Sequence, residues 1–291
     1  MKAVPPWLRV LYPFEEKVHL GAEGNLHFVD TGDGVPVVML HGNPTWSFFY
    51  RDLILALRGS HRCLALDHLG CGLSGKPASA DYTLAGHIRR GLEWLDARET
   101  GPFHLVVHDW GGAIGFGMAR ERREAVRSIT VLNTAAFPFA TIPLRIAACR
   151  WPLVGPLMVR GANAFVEAAT VMTTCEPLPE AVKEGFRFPY RTWADRVAVA
   201  AFVRDIPMRR GHPSRKLLES IGESLTYWRG KPIQILWGMQ DWCFHEGILA
   251  EWRRRLPEAE VHTFAEAGHY LLEDGGSEIM DRISAFADRN A

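Results

Sequence analysis

Short apolar runs, each ended by glycine, proline or a polar cluster, alternate with stretches of helical spacing along most of the chain. Residues 17–20 and 26–30 read as the strands of a hairpin turned by Gly21-Ala22-Glu23-Gly24. Thr31-Gly32-Asp33-Gly34 leads into 35–40, a continuous apolar run of the kind a strand buried on both faces requires. His41-Gly42-Asn43-Pro44-Thr45-Trp46 breaks that run, and 47–57 resume helical spacing. Strand signals recur at 62–66, 103–107 and 128–132, separated by helical patterns over 82–97 and from 110 to about 122. This alternation predicts an α/β fold, with a mostly parallel central sheet flanked by helices.

After the sixth strand the pattern changes. Residues 137–212 hold proline-punctuated helical pieces carrying Trp151, Phe165, Phe186, Phe188, Tyr190, Trp193 and Phe202. They read as a helical cap domain, 137–212, inserted into a core domain of 1–136 and 213–291. Its aromatics would roof an apolar pocket, though most are expected to pack the insertion's own core. Alternation resumes with strands at 232–237 and 260–264, a helix to about 255 and a closing helix at 277–289.

One junction stands out chemically: Val107-His108-Asp109-Trp110-Gly111. A buried strand ends on an acid, and Gly111, Gly112, Ala113 and Gly115 open the next helix, where small side chains permit a sharp turn and close packing. Strand, turn and helix match a nucleophile elbow, usually G-x-S-x-G, with the first glycine lost and aspartate in place of serine. An aspartate with a reference pKa of about 3.9 is already an anion at neutral pH. It can attack carbon without a base and form an ester, which a separately activated water must then hydrolyse. Taken alone, Asp109 reads equally well as a helix N-cap.

The rest of the chain favours the nucleophile. Asn43, Asp109, Asp241 and His269 all fall just beyond strand carboxyl ends, where open parallel sheets gather functional groups. The order nucleophile, acid, histidine is that of a hydrolase triad. Among twelve histidines, His269 is singled out by its position after Gly268 in a strand-to-helix loop. His104 and His108 are too far apart on one strand to share a metal ion, and His41 and His108 suit loop support. Gly70, Gly72 and Gly75 form a G-x-G-x-x-G, but Lys76-Pro77 follows instead of a helix, so it reads as a structural turn. No cofactor and no metal are expected.

Composition narrows the partners. A formal net charge of zero argues against nucleic acid, and the arginine clusters at 120–127, 209–210 and 253–255 read as solvated helix faces. No apolar run approaches the roughly 20 residues of a membrane span, and 1–6 lack a signal-peptide core, so no membrane partner is expected. Five cysteines, odd in number and without a C-x-x-C, suit reduced thiols and a cytoplasmic location. Oligomeric state is open, with a monomer as the default.

Together, His41-Gly42-Asn43-Pro44-Thr45-Trp46-Ser47, His108-Asp109-Trp110-Gly111-Gly112, Trp237-Gly238-Met239-Gln240-Asp241 and Gly268-His269 resemble the haloalkane dehalogenase family of the α/β-hydrolase superfamily. The resemblance runs over nearly the whole chain and is weakest in the cap. It implies an α/β-hydrolase fold, with Asp109 as nucleophile, His269 as the base for water and Asp241 as the acid orienting His269. The side chains of Asn43 and Trp110 would hold a departing halide, and their backbone N–H groups would form an oxyanion hole. One branch of the family carries a glutamate where this chain has Asn133; with Asp241 and Asn43, the chain is similar to the third subfamily. That branch also resembles the β-lactone decarboxylases of bacterial long-chain olefin biosynthesis, which share these residues.

The expected function is hydrolytic dehalogenation of a small or medium apolar alkyl halide, releasing alcohol and a halide ion. A β-lactone substrate is the alternative, and it would favour a long apolar channel. Epoxide hydrolysis is a third reading, for which Tyr190 and Tyr227 are the tyrosines near the cap. A non-catalytic ligand-binding protein on the same fold is a fourth, disfavoured by the intact Asp-His-Asp set.

Overall fold

The computed structural model describes residues 3–291. Its centre is a sheet of eight strands in the order β1-β2-β4-β3-β5-β6-β7-β8. They are β1 (Lys17–His19), β2 (Leu26–Thr31), β3 (Val35–Leu40), β4 (His61–Leu66), β5 (Phe103–Asp109), β6 (Val126–Thr134), β7 (Ile233–Gly238) and β8 (Glu260–Phe264). β1 and β2 form the expected hairpin, β2 is antiparallel to β4, and every pairing from β4 to β8 is parallel. β5 and β6 outrun their apolar stretches, because His108 pairs with Leu132 and Asp109 with Thr134 beyond them. Apolar pattern reports burial against helices, whereas strand pairing needs only backbone.

Alternate side chains of the central strands feed cores on opposite faces. Val38, Leu40, Leu105 and Val107 pack with Ile88, Trp94, Ile114, Ile221 and Trp252, from helices Leu84–Asp96, Trp110–Glu121, Arg215–Ser224 and Glu246–Arg255. Val37, Met39 and Val106 pack with Leu53, Ile54, Ile279 and Ile283, from helices Arg51–Leu57 and Gly276–Asp288. A sheet covered on both faces explains the unbroken apolar runs.

Between β6 and β7 the described residues contain no strand. Leu144–Ala148, Ala164–Met172, Glu180–Arg187 and Val197–Asp205 are helical, and Leu157–Gly161 is a π-helical turn. Ile146, Val159, Val166, Tyr190, Val199 and Val203 form an apolar cluster there. Of the aromatics in this stretch, Phe186 and Tyr190 are buried and Phe202 stacks on His87 at 4.4 Å. Trp151 and Trp193 neither roof a pocket nor pack a core; they are 62% and 44% exposed. Arg209 and Arg210 lie in a turn, not on a helix.

Candidate active site

Asp109 ends β5 with φ 50° and ψ −126°, a conformation that residues other than glycine rarely adopt. The glycines around it leave no choice of side chain. A β-carbon on Gly111 would overlap the Leu40 carbonyl, one on Gly112 the Thr134 hydroxyl, and one on Gly42 the Asp109 carboxylate. The Thr134 hydroxyl donates to the Asp109 carbonyl and ties the turn to β6.

The two carboxylate oxygens have different surroundings. Oδ1 accepts the Asn43 backbone N–H at 2.6 Å, and the Trp110 backbone N–H also supports the anion. Oδ2 lies 3.8 Å from His269 Nε2, beyond direct hydrogen-bond reach. Burial raises the Asp109 pKa above the ordinary carboxylate value; the His269 charge and the two N–H donors oppose the shift, and Asp241 adds to it.

His269 is fixed on both sides. Its Nδ1 is 2.8 Å from Asp241 Oδ2, so this nitrogen carries the proton of the neutral ring and Nε2 keeps its lone pair. Phe244 stacks on the ring at 5.5 Å, and His108, itself stacked on Phe49, lies 2.9 Å from the His269 carbonyl through Nε2. Burial works against the imidazolium, but Asp241 and then Asp109 outweigh it, and the His269 pKa is raised above 6.5. Further along, the buried Arg51–Glu273 pair, at 2.5 and 2.8 Å, anchors the segment that follows His269.

Asp241 is saturated with donors. Oδ1 accepts the Cys243 and Phe244 N–H groups at 2.7 and 3.0 Å, and Oδ2 accepts Asn133 Nδ2 at 2.9 Å as well as His269. Asn133, with φ 30°, also donates to the Gly238 carbonyl at 3.1 Å and accepts the Gly238 N–H at 2.8 Å. Asn133 appeared in the sequence only as the place of another branch's glutamate; its role in clamping Asp241 is visible only in three dimensions.

Asn43 and Trp110 complete the group. The Asn43 amide donates to the Val199 carbonyl at 3.3 Å and has a second N–H to offer. The Trp110 ring leans on Phe202 at 5.3 Å. Both line a cavity of about 320 Å³ whose floor is Asp109 and His269. Its walls are mainly apolar, among them Phe139, Ile142, Ile146, Phe165, Val203, Leu218 and Trp242. All five residues singled out from the sequence (Asn43, Asp109, Trp110, Asp241 and His269) are thus brought together, four on the cavity wall and Asp241 directly behind His269.

The tyrosines fall elsewhere than expected. Tyr190 donates to the Thr45 carbonyl at 3.2 Å, Tyr227 is 57% exposed, and neither lines the cavity, whereas Tyr270 does. The site therefore offers a buried carboxylate, a base held in one tautomer and neutral N–H donors around an apolar space. Among the described residues no cluster of metal-ligating side chains occurs.

Comparison with known proteins identifies the family. A family described as alpha/beta hydrolase fold matches residues 35–276. The chain is 41% identical to a cis-3-alkyl-4-alkyloxetan-2-one decarboxylase of Shewanella oneidensis, covering 96% of this chain and 90% of the relative. It is 39% identical to the protein of the same name from Xanthomonas campestris, over 91% and 93%. Haloalkane dehalogenase 2 of Mycobacterium tuberculosis is 33% identical, over 94% of each chain. Among solved structures, haloalkane dehalogenase DatA from Agrobacterium tumefaciens superposes with a TM-score of 0.86 at 26% identity, covering 95% of this chain and 97% of the other.

Proposed function

Because the chain belongs to the α/β-hydrolase family, we propose that it is an enzyme using Asp109 as a carbon nucleophile, with a cis-dialkyl β-lactone as its substrate. The observation that carries the substrate is the higher identity to the two decarboxylases, 41% and 39%, than to the dehalogenase, at 33%. An apolar cavity with space for alkyl chains around the carboxylate supports it.

In this reading Asp109 Oδ2 attacks the ring carbon that bears the ring oxygen. That carbon–oxygen bond breaks, its electron pair becomes a substrate carboxylate, and an alkyl-aspartate ester forms. The Trp110 indole N–H and the free Asn43 amide N–H meet the departing anion; being neutral, they do not quench Asp109 as a lysine would. Next the bond to the carboxylate carbon breaks. Its electrons form the carbon–carbon double bond, carbon dioxide leaves, and the electron pair of the ester bond returns to Asp109. Inversion in the first step followed by anti elimination in the second converts a cis lactone to a cis alkene.

The same donors favour hydrolytic dehalogenation as the second reading. There His269 Nε2 takes a proton from water attacking the ester carbon, and the developing oxyanion on Oδ1 lies in the Asn43 and Trp110 N–H groups. Asp241, held by Asn133, keeps the imidazole oriented. The segment 137–212 acts as the cap that closes the apolar space.

The test is to give purified protein a cis-dialkyl β-lactone and, separately, a 1-bromoalkane. Alkene and carbon dioxide in equal amounts support the lead reading. A β-hydroxy acid in place of alkene overturns decarboxylation. Bromide release without lactone turnover moves the function to dehalogenation. In the His269→Ala protein, an alkyl mass gain on Asp109 from the bromoalkane identifies the covalent intermediate. Absence of that gain, with Asp109→Ala still active, removes Asp109 from the nucleophile role.

A further inference from the structure

The segment between β6 and β7 exposes an unusual amount of apolar surface. Leu144 is 87% exposed, Leu153 82%, Val171 65%, Leu157 63% and Trp151 62%. Monomeric surfaces rarely gather such side chains without a partner. The same stretch is poor in acid: residues 144–172 carry three arginines against one glutamate, Glu167, which pairs with Arg187 at 2.8 Å. Its arginines use neutral acceptors: Arg145 donates to Met172 Sδ at 3.7 Å, Arg150 to the Ile206 carbonyl at 2.5 Å and Arg160 to the Trp193 carbonyl at 3.1 Å. Arg150 also feels the Asp205 carboxylate, and Arg145 lies over the Trp242 ring at 5.8 Å.

The patch adjoins the mouth of the active-site cavity. Arg145 and Ala168 are exposed and also line that cavity, on two helices joined by the Arg145–Met172 contact. We propose that this face docks on an anionic phospholipid bilayer, so that an apolar substrate dissolved in the lipid enters the cavity without crossing water. Leucine, valine and tryptophan around arginine suit the boundary between headgroups and acyl chains. An excess of arginine over carboxylate suits a negatively charged leaflet. A second copy of the chain is a poorer occupant, because it would bring a further net-basic face to the contact. None of the described helices is long and apolar enough to cross a membrane, and lying on one requires no such helix. The proposal holds whichever electrophile Asp109 meets.

The experiment is co-sedimentation of the full chain with vesicles of phosphatidylcholine alone or of equimolar phosphatidylcholine and phosphatidylglycerol. Wild type is expected to pellet with the anionic vesicles, and more weakly with the neutral ones. The triple variant Trp151→Ser, Leu153→Ser, Leu157→Ser should lose at least about tenfold in partitioning, from the apolar area removed. None of the three lines the cavity, so turnover of a short water-soluble substrate should be unchanged and reports that the variant is folded. The single exposed change Leu153→Glu gives an independent reading if the triple variant fails to fold. Wild type left in the supernatant with both vesicles overturns the proposal, as does binding indifferent to phosphatidylglycerol. Self-association that the triple variant abolishes while vesicles have no effect assigns the face to a second copy instead, and also overturns it.

Discussion

At the scale of single residues, the polar atoms behind the carboxylates are as constrained as the carboxylates themselves. Asn133 satisfies both backbone groups of Gly238 and one oxygen of Asp241. Asn133→Leu leaves those buried groups unpaired, at an expected cost of about 1–3 kcal/mol for each one stranded. Lower unfolding temperature together with a lower kcat checks this, and wild-type stability would remove the clamp. Asp109 makes the opposite prediction. Its backbone is in a conformation only glycine adopts freely, a strain of about 1–3 kcal/mol. Asp109→Gly should therefore be inactive yet unfold a few degrees above wild type, which calorimetry reads directly.

Protonation belongs at this scale too. The folded His269 pKa lies above 6.5, so its contribution to stability is complete below about 6.5 and is lost as pH rises through the folded value. Unfolding temperatures of wild type and His269→Gln should converge on the alkaline side. Hydrolysis of an alkyl ester needs the neutral ring, so bromoalkane turnover should rise with pH through that raised value. Alkene formation from a lactone consumes no water and should instead follow Asp109, declining as pH falls through a value above 3.8. Identical profiles for the two substrates would contradict the division of roles.

Among the elements, glycines record where backbone meets backbone. Gly111→Ala would push a methyl group into the Leu40 carbonyl at the end of β3, and Gly112→Ala one into Thr134 at the end of β6. Either should displace Asp109 and abolish turnover, with loss of soluble protein as the stronger outcome; an active Gly111→Ala enzyme would refute the tight junction. This explains what the sequence disclosed. Apolar runs located the inner strands β3 to β7, because a sheet covered on both faces makes burial continuous, and the small residues after Asp109 located the elbow. The ends of β5 and β6 were not legible, since His108, Asp109, Asn133 and Thr134 pair through backbone and carry no apolar signal. Nor was the clamp of Asn133 on Asp241, which spans 108 residues of chain and depends on β6 lying beside β7. Likewise, aromatic content could not say that Phe165 faces the cavity while Trp193 faces outward.

For the molecule as a whole, access to the apolar cavity is the property most open to measurement. Ala168 is exposed and lines the cavity, so Ala168→Trp can narrow the entrance without crowding a core. Its kcat/KM should fall more for long-chain than for short-chain substrates, and an equal fall for both would place the entrance elsewhere. A wider consequence follows from where the functional side chains originate. Asn43, Asp109, Trp110, Asn133, Asp241 and His269 all come from outside 137–212, while Phe139, Ile142, Ile146, Phe165 and Val203 come from within it. The candidate site residues thus lie outside 137–212, whereas the cavity wall is shared between that segment and residues such as Leu218 and Trp242. A lineage can rewrite that segment's share of the wall, by drift or by grafting a relative's segment, and present the proposed covalent chemistry with a substrate of new shape. The Val199 carbonyl against Asn43 is the seam at which such a graft must still fit.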